Sequence, residues 1–128
     1  MKDPMQRGIV LLAHGSRDPL WPAPIEAVAQ RIRRDAPSVH VACAYLEWTA
    51  PTLEEAAAEL VRQGVRQLAV MPMFLGMGKH AREDLPQLIQ ALRARHPTVQ
   101  VKELQAVGEQ RAVIDLLADI ALTQSEAA

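Results

Sequence analysis

The chain has 128 residues, 49% hydrophobic and 23% charged, the make-up of one ordinary globular domain. Its formal net charge is −1, so it carries no basic field with which to hold nucleic acid or an anionic membrane. Cys43 is its only cysteine, which excludes an internal disulfide or a thiolate zinc cluster and fits a reducing cytosol.

The start, Met1 to Arg7, lacks the apolar run and small-residue cleavage site of a secretory leader. No apolar stretch approaches the roughly 20 residues of a membrane-spanning helix. The expectation is a cytoplasmic protein with no membrane partner. Gly8 to Ala13 is a continuous apolar run, the pattern of a strand buried on both faces. Ile25, Val28, Ala29 and Ile32 then recur at helical spacing within Ala23 to Asp35, and Pro37 disfavours helix in the residue before it. Val39 to Leu46 reads as the second strand, with Cys43 a small core residue inside it.

Thr52 and Glu55 have the spacing of a capping box, and Leu53 to Gln63 consists almost wholly of strong helix formers before Gly64. Leu68 to Met73 is the third strand, followed by a helix from about Ala81 to Arg95 ahead of Pro97. Thr98 to Leu104 is the fourth strand. A last helix, about Glu109 to Thr123, sets Val113, Leu116, Leu117 and Ile120 on one face. Connections of this length between strands demand crossover helices, hence a mostly parallel sheet covered on both faces. The α/β alternation predicts one domain over 1–128, with an ordered core over about 8–123.

In such a sheet, loops at the carboxyl ends of neighbouring strands converge on one crevice. His14 follows the first strand, Glu47 the second, and His80 the third, after the loop Gly76-Met77-Gly78-Lys79. Each histidine could be a structural residue at a strand end, and Glu47 a plain rim carboxylate. Convergence beside glycines favours a site, because neutral imidazoles ligate divalent ions such as iron, cobalt, nickel or zinc. Ser16 and Arg17 add a donor and a fixed cation next to Gly15, and Gly76 and Gly78 permit positive φ and close approach by a bulky ligand.

Glu83 and Asp84 fall in the first turn of the predicted third helix, where negative charge suits the macrodipole; beside His80 either could also orient the imidazole. Met71 and Met73 read as core filler, and Met77 as filler or as an apolar wall for a planar ligand. His40 and His96 lie towards the opposite end of the sheet and read as surface residues. The glycine loop matches no phosphate-binding pattern, and Ser16 has no triad around it.

Three segments together resemble the small, single-domain sirohydrochlorin cobaltochelatases of the class II, ATP-independent tetrapyrrole chelatases. They are Leu12-Ala13-His14-Gly15-Ser16-Arg17, then Tyr45-Leu46-Glu47 with Pro51-Thr52-Leu53, and Pro72 to His80 with Glu83, Asp84 and Pro86. The similarity spans about Gly8 to Leu122. It implies a three-layer α/β/α fold with a four-stranded parallel sheet of order 2-1-3-4. It implies insertion of a divalent metal, cobalt above all, into sirohydrochlorin for cobalamin or related tetrapyrrole biosynthesis.

On that resemblance His14 and His80 handle the metal, and Glu47 is a further metal or proton partner. Ser16, Arg17, Gly76, Met77, Gly78 and Lys79, with Arg82 at the rim, would contact a carboxylate-rich tetrapyrrole. Co2+, Ni2+ or Fe2+ would be a substrate, no tightly bound cofactor is expected, and a homodimer would mimic two-domain chelatases. The rival expectation is a metal- or tetrapyrrole-binding carrier that keeps the cleft and turns nothing over.

Overall fold

The computed structural model describes residues 6–126. The elements run β1 (Arg7–Ala13), α1 (Ala23–Asp35), β2 (His40–Tyr45), α2 (Leu53–Arg62), β3 (Gln67–Pro72), α3 (Lys79–Arg95), β4 (Gln100–Glu103), a short 3-10 turn (Val107–Glu109) and α4 (Arg111–Ser125). All strand pairings are parallel, and the sheet order is β2-β1-β3-β4, as expected. The chain order departs from the spatial order because α1 carries β2 to one side of β1, while α2 returns across the sheet to deliver β3 on the other.

Alternation along the strands divides the core in two. Val10, Leu12, Ala44, Leu68, Val70 and Val101 point to one face, where Leu53, Ala57 and Leu60 of α2 and Leu85, Ile89 and Leu92 of α3 cover them. Leu11, Ala13, Val41 and Tyr45 point to the other and pack on Ile25 and Ala29 of α1. Val10, Leu11 and Leu12 are wholly buried, so truncating either leucine to Ala costs about 2–5 kcal/mol. Cys43 is half-buried at the edge of the α1 cluster, where desolvation pushes its thiol pKa up, in keeping with a core role.

Local signals account for the helix ends. The Thr52 hydroxyl accepts from the Glu55 N–H at 3.1 Å, and the Glu55 carboxylate accepts from the Thr52 N–H at 2.9 Å, completing the capping box. Gly64 takes φ +103° immediately beyond α2.

Two expectations need correction. The third helix starts at Lys79, with Gly78 as its N-cap, two residues earlier than the sequence pattern suggests. Glu83 and Asp84 therefore lie beyond its first turn, which contains no acid, and His80 belongs to the helix itself. The sheet is also not covered on both faces throughout. None of α4 is buried, and the α1 face is left half bare over β3 and β4.

Candidate functional site

Backbone pairing continues past the strand ends and gathers the loops. The N–H of Leu46 donates to Ala13 O and that of Glu47 to His14 O, both at 2.9 Å, while Met73 N–H donates to Leu12 O at 2.7 Å. These bonds bring His14 and Glu47 alongside each other at the carboxyl edge, with the chain after β3 on the far side of β1. Gly15 adopts φ +102°, and a Cβ there would overlap the Glu47 carbonyl, so the turn closes only around glycine.

His14, Glu47 and His80 line a single cavity of about 750 Å3, within the size range of small-molecule sites. Its walls come from Leu12, Leu46, Phe74, Leu85 and Leu88. The ring of Phe74, itself buried, lies 4.4 Å from that of His14, so the exposed imidazole rests on an apolar support. His80 sits one turn along α3 from Asp84, which also lines the cavity, as do Gln87 and Leu88. Among the described residues there is no group of three or more His, Cys, Asp or Glu that could hold a metal ion. The three predicted residues thus share a cavity without forming a preassembled ligand cluster.

The other predicted site residues are outside the cavity lining. Ser16 is woven into its own loop: its N–H donates to Thr49 Oγ1 at 3.2 Å, its carbonyl accepts from that hydroxyl at 2.7 Å, and its Oγ accepts from Asp18 N–H at 3.0 Å. Arg17 is exposed, with its guanidinium carbon 4.0 Å from the ring centroid of Trp48. Trp48 has φ +68°, an uncommon conformation for a bulky residue, at the rim next to Glu47.

Gly76 and Gly78 do not use the positive φ that glycine allows, and a Cβ at either would meet open space. Met77 packs against the α2–α3 core and so serves as filler, not as a free apolar wall. Arg82 donates to the Met77 carbonyl at 2.6 Å and braces the start of α3. Lys79 and His80 are exposed in the first turn of that helix.

Sequence reasoning left Phe74, Gln87 and Leu88 out of the site and gave Asp84 only a small part. A signal existed: His80, Asp84 and Leu88 recur every four residues, which places them on one face of any helix that includes His80. Starting the helix after His80 hid that periodicity. His40 donates or accepts through Nδ1 with Gln63 Oε1 at 2.9 Å, away from the cavity. His96 is less exposed than expected: its Nε2 is buried and unpartnered at the end of α3.

The CbiX family model matches residues 8–123. The chain is 33% identical over 82 residues to the sirohydrochlorin cobaltochelatase of Methanococcoides burtonii, covering 64% of this chain and 63% of that one. It is 28% identical over 113 residues to the sirohydrochlorin ferrochelatase of Priestia megaterium, covering 87% of this chain and 42% of that one. The chain thus spans less than two thirds of the length of these two relatives. A crystal structure of a CbiX protein from Marinobacter aquaeolei superposes with a TM-score of 0.81 at 30% identity, over 95% of this chain and 99% of that one.

Proposed function

The chain belongs to the CbiX family, and we propose that it inserts a divalent metal ion, cobalt above all, into sirohydrochlorin without ATP. The observation that carries this reading is the meeting of His14, His80 and Glu47 in one open cavity with apolar walls. The names of the two curated relatives supply the substrate class, one for cobalt and one for iron.

Metallation requires the ion to lose water and the macrocycle to lose two pyrrole N–H protons. Two imidazoles in a cavity without a third clustered ligand suit the first task. They hold an ion through few bonds, so that four macrocycle nitrogens can outcompete them. The apolar surface of Phe74, Leu85 and Leu88 suits the flat face of a tetrapyrrole. Glu47 and Asp84, which both line the cavity, are the groups available to accept the departing protons. Arg17 and Lys79, both exposed at the carboxyl edge of the sheet, are the cations suited to the substrate's carboxylates. In this reading the ion is a substrate and no resident cofactor takes part.

The reading includes a cytoplasmic setting and a homodimer. Half-buried, unpaired Cys43 fits the first. The aligned region covers 42% of the ferrochelatase relative, and two copies of the matched domain would span most of that protein, which fits the second.

An anaerobic absorption time course with sirohydrochlorin and Co2+, Ni2+ or Fe2+ tests the function, with uncatalysed metallation and a His14→Ala variant as backgrounds. Acceleration by the unaltered chain alone supports the chelatase. A spectrum that shifts on binding but is metallated at the background rate overturns it in favour of a carrier.

A further inference from the structure

We infer that Trp48 is a substrate-contact residue: with Arg17 stacked on it, it binds the carboxylate-bearing periphery of the tetrapyrrole where that substrate extends beyond the cavity. The inference deepens the chelatase reading above and rests on its substrate class.

Trp48 occupies a turn that the backbone does not adopt readily. Thr49 N–H donates to Glu47 O at 2.8 Å, two residues back, and Trp48 between them has φ +68°. That is the γ-turn of positive φ, the rare and strained one of the two forms, and a bulky central residue adds to the strain. Bonds on either side hold it closed. Glu47 N–H donates to His14 O at 2.9 Å, while the Thr49 hydroxyl accepts from Ser16 N–H at 3.2 Å and donates to Ser16 O at 2.7 Å. Glu47 and Thr49 are thus both tied to the loop after β1, and Trp48 is the apex left projecting between them.

The core makes no use of the indole placed there. Trp48 is 61% exposed and belongs to neither core cluster, unlike Trp21, which packs on Tyr45 and the α1 face. The Arg17 guanidinium, 4.0 Å from the ring centroid, lies over one face of the indole and leaves the other open. Arg17 itself makes no ion pair among the described residues, so its charge is left for a ligand. Backbone strain beside a site, held by neighbouring bonds and not offset by packing of the strained side chain, is the mark of a residue kept for binding.

Position and chemistry name the ligand. Trp48 directly follows Glu47, which lines the cavity, while Trp48 and Arg17 stand outside the lining. A cavity of about 750 Å3 holds a drug-sized molecule. A tetrapyrrole with carboxylate arms is larger, so part of its periphery lies beyond the mouth. That periphery presents an apolar ring edge and carboxylates side by side. An aromatic surface with a planar cation stacked on it complements both: the indole takes the ring edge, and stacking holds the guanidinium where its N–H groups reach a carboxylate.

The test is Trp48→Gly, because glycine adopts φ +68° without strain and so keeps the turn. The dissociation constant of metal-free sirohydrochlorin, read by absorption titration, should rise about tenfold, the scale of losing one aromatic contact. KM should rise in step, while kcat and the affinity for Co2+ alone hold. Trp48→Phe should recover most of the loss. Arg17→Ala/Trp48→Gly should lose less than the product of the two single losses, since the pair acts as one unit. Unchanged sirohydrochlorin affinity in Trp48→Gly, or losses that simply multiply, would overturn the inference and leave the chelatase reading standing. Weaker Co2+ binding or a lower kcat would assign Trp48 to the placement of Glu47 and would overturn it too. If the unaltered chain binds no sirohydrochlorin, the inference fails together with the proposed function.

Discussion

Gly15 and Glu47 are in backbone contact: the left-handed turn at Gly15 brings its α-carbon so close to the Glu47 carbonyl that a methyl group there would overlap it. This is where the loop after β1 is locked to the loop after β2, and where His14 receives its position. Gly15→Ala should therefore cost roughly 3 kcal/mol or more through strain and displaced backbone, read as a lower urea midpoint. Gly76→Ala, in open space, should stay within about 0.5 kcal/mol of the unaltered chain.

His14→Ala and His80→Ala should each lower metallation turnover at least about 100-fold, the scale of losing a positioned acid–base or ligand group. Because both residues are exposed, melting temperatures should hardly move. Loss of turnover together with a collapse in stability would instead assign them to the fold.

Arg17 is exposed, with its guanidinium stacked over Trp48 outside the cavity lining. Arg17→Ala should raise the KM for a carboxylate-rich tetrapyrrole about fivefold, equivalent to about 1 kcal/mol for an exposed pair, and leave kcat nearly constant. Steady-state kinetics at low and high salt check this, since screening should shrink the difference.

Tyr45 is buried against α1, and desolvation pushes its phenol pKa up to about 12 from an ordinary value of 10. The folded chain holds that proton more tightly than the unfolded chain, so the associated stabilisation is complete below pH 10 and is lost as pH rises towards 12. Urea midpoints measured from pH 9 to 12 should fall less steeply for Tyr45→Phe than for the unaltered chain.

Thr52→Ala removes one side of a reciprocal cap on α2 and should cost about 1 kcal/mol, measured by urea unfolding. Catalysis should be unaffected, because Thr52 does not line the cavity.

Wherever a signal was local, the sequence was enough. Largely apolar runs marked β1, β2 and β3, since a strand buried on both faces has no polar alternation. Thr52 with Glu55, and Gly64 beyond, marked the ends of α2 because capping involves only neighbouring backbone groups. The convergence of His14, Glu47 and His80 was legible too, because parallel strands place their carboxyl ends on one side. The start of α3 was less so. Gly78 is a weak cap signal, and the bond from Arg82 to the Met77 carbonyl that braces it is formed only in the folded chain.

By itself, then, the sequence determined the α/β alternation, the strand and helix identities and the edge of the sheet where chemistry gathers. Tertiary structure decided which residues face the cavity. Asp84 and Leu88 join it from α3, which packs on α2 and β4, and Phe74 joins it from the chain after β3, while Ser16 and Met77 are turned to loop bonds and core. It also decided the fate of α4. Periodicity reports that a helix has an apolar face but not what will cover it, because cover depends on where a distant turn, here the one seated on Leu75, aims the helix.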